Sequence, residues 1–251
     1  MLKHRIIPTL LYKDFGLVKG EKFNSWRRIG TAEQVVKIFE IRKVDELVFV
    51  DITATQQGRT PDYVLIEKLS RECFMPIAIG GGVNSLECIE KILKFGADKV
   101  VINTHAVRNP EIIREASEVF GSQSIIASID YSYVNGSPFV KCKSGRELTS
   151  LDPVETAVRL QDFGAGEILL CNIDRDGTYC GYDLELLKKT SQLLDIPIIA
   201  SGGCGNYEDM AQALNYAKVD AVSASSIFQF TEKTPMEAKL YLHERDVPVR
   251  L

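Results

Sequence analysis

Short β-branched runs alternate with longer amphipathic stretches throughout this chain, and this alternation constrains its fold more than any other feature. Each run is followed by about ten or more residues whose apolar positions recur with the helical period. Because strands that alternate with helices assemble into parallel sheets, the pattern predicts an α/β fold. The eight predicted strands are residues 5–11, 46–52, 76–80, 98–103, 124–130, 166–172, 196–201 and 220–224.

The two halves of the sequence resemble each other. The matching segments are 5–11 with 124–130, 46–52 with 167–173, and 76–103 with 197–225. Two halves of four strand–helix units each, about residues 1–121 and 122–251, are what a duplicated half-barrel leaves in a sequence. We therefore predict one domain over residues 1–251, a single (β/α)8 (TIM) barrel with an internal half-barrel repeat. An open doubly wound sheet is the alternative.

Composition excludes several classes of partner. A formal net charge of −4 gives the chain no global attraction to nucleic acid or to an anionic membrane. The six cysteines and three histidines lack metal-ligand spacing, and scattered free thiols are typical of a reducing cytoplasm. The apolar stretch after Arg5 is interrupted by Pro8, and no apolar run approaches the roughly 20 residues that span a bilayer. We expect a cytoplasmic protein with no metal, no cofactor, no nucleic-acid partner and no membrane partner.

Glycines and small polar residues follow four of the predicted strands. In a barrel, functional groups lie at the carboxyl ends of the strands and in the loops after them. Glycine there lets backbone N–H groups approach an anion closely, although isolated glycine pairs are also ordinary tight turns. Their recurrence in both halves predicts two phosphate sites across one mouth, for a small molecule phosphorylated at both ends. The candidate residues after these four strands are Gly81, Gly82, Asn103, Thr104, Ser201, Gly202, Gly203, Ala224 and Ser225, and the loop after the sixth strand adds Asp176 and Gly177 as substrate-binding candidates.

Charged residues are expected at the same mouth. Asp130 ends the fifth predicted strand, where an inward carboxyl is a natural general acid or base. Asp51 lies near the end of the second strand, and its alternative role is to cap the following loop. Lys19 lies in the long segment before Thr31, which we predict to be a mobile flap; this lysine either clamps a phosphate or is simply solvated. His105 follows Thr104 and is a weaker candidate for ligand contact.

Ten motifs spread over nearly the whole chain carry a family resemblance. They are Arg5-Ile-Ile-Pro8, Val18-Lys19-Gly20, Asp51-Ile-Thr-Ala54, Gly80-Gly-Gly82, Asp98-Lys99-Val100, Ile129-Asp130, Asp174-Arg-Asp-Gly-Thr178, Gly181-Tyr-Asp183, Ser201-Gly-Gly203 and Val247-Pro-Val-Arg250. Together they resemble the cyclase subunit of imidazole glycerol phosphate synthase. The resemblance implies a (β/α)8 barrel that docks a glutaminase subunit at its N-terminal face. Ammonia would pass through the barrel and react with a bis-phosphorylated ribulosyl aminoimidazole carboxamide.

The resemblance also implies catalytic residues, and one of them is missing. In the family, aspartates at the ends of strands one and five act as general acid and base. The second matches Asp130, with Lys19 as a further catalytic candidate, but the first falls at Leu11, which cannot transfer a proton. Residues 13–16 also depart from the usual Lys-Asp-Gly-Arg. Loss of one member of such a pair typically costs about 10²–10⁴ in rate.

A charged ring at the opposite end of the barrel is the second implied site. The family closes that end with four charged residues that gate ammonia entry, matched here by Arg5, Glu46, Lys99 and Glu167. Strand alternation places Arg5 on the same face as Leu11, hence inward, and two cations with two anions tolerate burial as pairs. The alternative is a plug that only adds stability. Asp98 is expected at the interface with the glutaminase.

Three hypotheses follow. In the first, the chain is a cyclase-like subunit that conducts ammonia to a sugar amidotransferase, which converts an acetamido group to an acetamidino group in surface-polysaccharide (lipopolysaccharide) biosynthesis. In the second, it is a true histidine-pathway cyclase with a displaced acid, Asp14 or Asp176. In the third, it is a non-catalytic scaffold for a phosphorylated ligand. We favour the first because the lost acid is chemically costly.

Overall fold

The computed structural model describes residues 3–14 and 16–251, and twelve strands occur in these residues. The strands are β1 (Arg5–Lys13), β2 (Gly16–Glu21), β3 (Asn24–Gly30), β4 (Leu47–Asp51), β5 (Ile77–Gly80), β6 (Lys99–Ile102), β7 (Ile125–Val134), β8 (Ser137–Cys142), β9 (Glu147–Leu148), β10 (Glu167–Asn172), β11 (Ile198–Ser201) and β12 (Ala221–Ala224). The predicted departure of residues 13–16 from the family motif includes Phe15, which lies outside the described residues.

Helices separate most of these strands. They are α1 (Ala32–Ile41), α2 (Ala54–Gln57), α3 (Tyr63–Glu72), α4 (Leu86–Lys94), α5 (Thr104–Arg108), α6 (Glu111–Phe120), α7 (Pro153–Asp162), α8 (Leu184–Ser191), α9 (Tyr207–Asn215), α10 (Ser226–Gln229) and α11 (Pro235–His243). Asp152 caps α7, since its carboxylate accepts hydrogen bonds from the first-turn N–H groups of this helix and Pro153 opens it.

Eight parallel strands close into a barrel. Their order around the ring is β1, β4, β5, β6, β7, β10, β11 and β12, and β12 pairs with β1 to complete it. This closure confirms the (β/α)8 prediction and excludes the open sheet. Each of the eight predicted strands is present, and the largest difference in bounds is at β7, which continues to Val134 instead of ending at Asp130.

Two antiparallel hairpins extend from the mouth of the barrel. Strands β2 and β3 follow β1, and strands β8 and β9 follow β7. The segment around Lys19, which we predicted to be a mobile flap, is part of a hairpin in which β2 pairs with both β1 and β3; its mobility stays a prediction. The two-residue turn at Lys22-Phe23 has positive φ at both residues, and neither residue is the Asn or Gly that usually announces such a turn.

The order of elements is similar in the two predicted halves. The first strand of each, β1 and β7, leads into a hairpin, and the last, β6 and β12, leads into a short helix and then a long one. This correspondence agrees with a repeat. The boundary near residue 121 and the single-domain organisation stay predictions.

The barrel interior has an apolar layer of its own. Side chains alternate between the inside of the barrel and the surrounding helices, as the pleat requires. The inward set forms a cluster that is separate from the larger core beneath the helices. Its members are Ile7, Val48, Ala78, Val101, Ile126, Leu169, Ile199 and Ala221. This layer separates the amino ends of the strands from the mouth.

Candidate functional site

A cavity of about 280 Å³ occupies the carboxyl end of the barrel. Every residue that we predicted at the mouth lines it, so the fold brings together segments from across the sequence. These residues are Leu11, Lys19, Asp51, Gly81, Gly82, Asn103, Thr104, His105, Asp130, Asp176, Gly177, Ser201, Gly202, Gly203, Ala224 and Ser225. Their chemical roles remain predictions.

Leu11 and Asp130 face each other across this cavity. They lie on β1 and β7, which are four strands apart around the ring in either direction. Both side chains line the cavity, and both are partly exposed to it. The position opposite Asp130 is therefore occupied by an aliphatic side chain that neither donates nor accepts a proton.

The environment of Asp130 suits proton transfer near neutrality. Burial and, to a smaller extent, the negative charge of Asp176 together raise the pKa of its carboxyl from 3.8 to about 7, although a hydrogen bond with Asn103 opposes this shift. The Asn103 amide also donates to the Ser128 carbonyl oxygen at 3.1 Å, which holds this amide in place. A carboxyl with such a pKa can both receive and release a proton at physiological pH.

Replacing this carboxyl should change the pH dependence of stability. Because the pKa of Asp130 is raised to about 7, the folded chain holds a proton that the unfolded chain loses near pH 4, so the free energy of unfolding falls as pH rises through that window. We expect Asp130→Asn to raise this free energy by roughly 1–3 kcal/mol near pH 8 and to leave it nearly unchanged near pH 4. Urea unfolding of both proteins at each pH measures the difference, and a difference independent of pH would contradict the raised pKa.

Lys19 is buried rather than free. Its side chain is 1% exposed, and its ammonium group donates to the two carboxylate oxygens of Asp176 at 2.8 and 2.6 Å. The backbone N–H of Lys22 also donates to the Asp176 carbonyl oxygen at 2.8 Å. The loop after β10 is therefore tied to the β2–β3 hairpin, and the solvated-lysine interpretation was wrong.

The two glycine loops have matching conformations on opposite sides of the cavity. Gly81 follows β5 with φ +107°, and Gly202 follows β11 with φ +89°; these strands are four apart in the ring. A Cβ atom at Gly81 would collide with the Asp51 carbonyl oxygen, and one at Gly202 with the Asn172 carbonyl oxygen. Only glycine fits either position, which leaves the loop backbone open toward the cavity.

Asp51 caps the loop after β4, as its alternative interpretation predicts. One of its carboxylate oxygens accepts hydrogen bonds from the N–H groups of Thr53 and Ala54 at 3.0 and 3.1 Å. The other oxygen forms a 2.6 Å ion pair with Arg59, which also lines the cavity. Asp51 therefore shapes the wall and holds a cation that the sequence analysis missed.

Other cavity residues also escaped prediction. Phe23 and Trp26 enter from the β2–β3 hairpin, and Arg108 and Lys143 from the other side, where both form ion pairs with Glu147. Trp26 is the single tryptophan of the chain, and this rarity was the one sequence feature that could have marked any of these four residues as a candidate. Burial raises the pKa of the Cys204 thiol to about 12, so this cavity thiol stays protonated.

The predicted charged ring is present at the amino end of the barrel. Arg5 forms ion pairs with Glu46 and Glu167, each at 2.6 Å, and Lys99 forms ion pairs with the same two carboxylates at 2.9 and 2.6 Å. The carboxylates are almost fully buried and the cations partly so. Each anion thus contacts both cations, and the four side chains close this end beneath the apolar layer.

Asp98 lies beside the ring. Its carboxylate accepts a hydrogen bond from the Ile77 N–H at 2.9 Å, and Asp220 makes the equivalent bond to the Ile198 N–H at 3.0 Å. In the described part of the chain, no group of side chains has the composition of a metal site. Nor, among those residues, is any helix sufficiently long and apolar to traverse a bilayer.

Comparison with known proteins identifies the family. A family model described as "Histidine biosynthesis protein" matches residues 5–234. Imidazole glycerol phosphate synthase subunit HisF from Methanosarcina acetivorans is 42% identical over 273 aligned positions, and that from Chlorobium phaeovibrioides is 41% identical over 251. Both alignments cover 100% of each chain. The chain therefore belongs to the HisF cyclase family of imidazole glycerol phosphate synthase, among the histidine biosynthesis proteins.

Proposed function

We propose that this chain receives ammonia from a glutaminase subunit at the amino end of the barrel and conducts it to the mouth, while its own cyclase chemistry is impaired. The observation that carries the proposal is the contrast between the two ends. The ring of Arg5, Glu46, Lys99 and Glu167 is complete, whereas Leu11 stands opposite Asp130 in the cavity. A chain that lost both roles would be under no constraint to keep four buried charges, because such groups are costly to desolvate.

The path between the two ends suits a small neutral molecule. Above the ring, the interior layer is apolar, and two of its eight members are alanines, Ala78 and Ala221. An ammonium ion would lose its hydration there without a compensating anion, whereas ammonia carries no net charge. The ion pairs of the ring must separate for passage, since they close the amino end in this structure. The ring and the apolar layer together would therefore select the neutral form.

Impaired cyclase chemistry follows from the mouth. Of the two substitute acids considered for the family reaction, Asp14 lies exposed in the turn after β1 and is not part of the cavity wall. Asp176 does line the cavity, but the Lys19 ammonium holds both of its oxygens. Both Asp176 oxygens are therefore already engaged by Lys19 and are not free to contact a substrate.

We extend the proposal to the acceptor. With the cyclase step impaired, ammonia that reaches the mouth needs another electrophile, and a sugar amidotransferase that forms an acetamidino group in lipopolysaccharide biosynthesis meets this need. Two observations support this acceptor: the resemblance to the cyclase family, and the leucine at position 11 in place of the family's catalytic aspartate. The second candidate function is the histidine-pathway cyclase itself. The full-length similarity to subunits named HisF and the raised pKa of Asp130 favour it.

Docking of the glutaminase can be tested at Asp98. We expect Asp98→Asn to weaken the complex roughly tenfold or more, because the side-chain oxygen that accepts from Ile77 is kept while the charge offered to the partner is lost. Asp220→Asn is the matched control, since Asp220 makes the same bond in the other half. The measurement is the glutamine-hydrolysing activity that co-purifies with each tagged chain from its own cells. No such activity with the wild-type chain, or equal losses in both variants, would contradict the proposed interface.

A further inference from the structure

A second cavity, of about 290 Å³, lies beside the first at the mouth. Three segments enclose most of it: the turns around the β2–β3 hairpin, the loop after β4 and the turn between β8 and β9. The lining residues that matter for its chemistry are Lys13, Lys22, Trp26, Lys141 and Arg146. A volume near 300 Å³ is in the range of small-molecule sites.

The charge of this cavity has a single sign. Its lining includes four cationic side chains and, among the residues that the structure describes, no carboxylate. Cations elsewhere at the mouth have partners: Lys19 pairs with Asp176, and Arg59 pairs with Asp51. Within residues 3–14 and 16–251, no carboxylate forms an ion pair with any of the four. Four cations around one concave space attract an anion and repel each other in its absence.

Two of the four cations, Lys22 and Arg146, lie in turns that contain an unfavourable backbone conformation, while the other two lie on strands β1 and β8. Lys22 and Phe23 have φ of 51° and 58°, and Lys143 and Ser144 have φ of 51° and 55°. Side chains other than glycine or asparagine cost roughly 1–2 kcal/mol in this region. Asn-Gly would make the β2–β3 turn easily, so the lysine and the aromatic ring are present despite the turn geometry. Residues held in such conformations are concentrated at ligand sites.

The wall between the two cavities is well defined. The Ser144 hydroxyl donates to the Ile52 carbonyl oxygen at 2.8 Å, and both residues line both cavities. Phe23 and Trp26 also face both spaces. A Cβ atom at Gly145 would lie 3.2 Å from the side chains of Phe23 and Ile173, so the turn packs closely against the hairpin. The second space is thus a separate compartment with its own cationic lining.

We propose that this second cavity binds a small ligand that carries a phosphate or diphosphate group, separately from the predicted phosphate sites of the first cavity. The cations supply charge-assisted hydrogen bonds to phosphate oxygens, and Trp26 offers an aromatic surface to the rest of the ligand. The concave shape favours a small molecule over an acidic surface of another protein, because protein interfaces are flatter and larger. The proposal does not depend on the fate of ammonia.

The test uses inorganic pyrophosphate as the probe in calorimetric titrations of the full chain. We expect wild type to bind it and the triple variant Lys13→Gln, Lys141→Gln, Arg146→Gln to bind at least roughly 100-fold more weakly, since each charged hydrogen bond contributes about tenfold. Lys68→Gln, an exposed lysine on α3, is the matched control and should match wild type. Ser225→Asp adds a negative charge to the predicted phosphate site of the first cavity, so it removes pyrophosphate binding that belongs to that cavity, and we expect the binding that belongs to the second cavity to persist.

A second variant distinguishes binding from folding. Lys22→Asn places a residue suited to positive φ in the turn, so we expect it to raise the thermal midpoint and yet weaken pyrophosphate binding roughly tenfold. A purely structural role for Lys22 would not produce these opposite changes. Absence of binding by wild type, unchanged binding by the triple variant, or loss of binding with Ser225→Asp would each overturn the proposal.

Discussion

Leu11→Asp is expected to increase cyclase turnover by about 10²–10⁴, because it restores the missing member of the acid/base pair. The side chain at position 11 already lines the cavity across from Asp130. Leucine and aspartate have the same number of side-chain heavy atoms, so the new carboxyl should fit in the same place. The assay uses the bis-phosphorylated ribulosyl aminoimidazole carboxamide substrate with saturating ammonium salt. Ammonium removes the need for a glutaminase, so the rate reports the chemistry of the barrel alone.

Leu11→Asn is the control for this gain. It has nearly the same shape and polarity as the aspartate variant but cannot act as a general acid or base at neutral pH. An equal gain with both variants would attribute the effect to a more polar cavity rather than to proton transfer. A combined variant with Asp130→Asn should lose the gain, because proton transfer requires both carboxyl groups.

Asp176→Ala is expected to lower the free energy of unfolding by about 3–5 kcal/mol, because it leaves the buried Lys19 ammonium without its partner. The variant also creates a gap in the loop that is tied to the β2–β3 hairpin through the Lys22 N–H. Urea unfolding at neutral pH measures the loss. The same substitution removes a negative charge near Asp130, so the pKa of that carboxyl should fall toward its usual value.

The double variant Lys19→Met, Asp176→Leu tests the cause of this loss. Apolar side chains of similar volume replace the ion pair, and such exchanges are often neutral or stabilising. We therefore expect the double variant to recover most of the stability lost in Asp176→Ala. A double variant as unstable as the single one would indicate that the ion pair itself, and not the unpaired charge, determines the stability of this region.

The barrel could be predicted because its strands obey a simple rule. Buried parallel strands are short and β-branched, and glycine or polar residues mark the end of each, as at Gly80 and Ser201. The strand pairing that completes the ring, β12 with β1, joins the last strand of the chain to the first. Predicting that the ring closes therefore relied on the internal repeat and on the count of eight strand–helix units, since no local signal distinguishes closure from an open sheet.

The hairpins could not be predicted from local signals. Their turns use Lys22-Phe23 and Lys143-Ser144 at positive φ, where sequence rules expect glycine or asparagine. The burial of Lys19 depends on Asp176, which lies far away in the sequence, so its local context resembled a surface loop. Likewise, the second cavity forms only when the hairpins and the loop after β4 come together. Tertiary contacts, rather than periodicity, determine all three features.

Impaired cyclase chemistry is tested by the cyclase turnover of the unmodified chain at saturating ammonium, measured side by side with the HisF subunit of Chlorobium phaeovibrioides. We expect a rate at least roughly 100-fold below that of the relative, because Leu11 cannot replace a general acid or base. A rate within a fewfold of the relative would contradict this expectation. That result would make this chain a working cyclase whose second proton-transferring group is not at position 11.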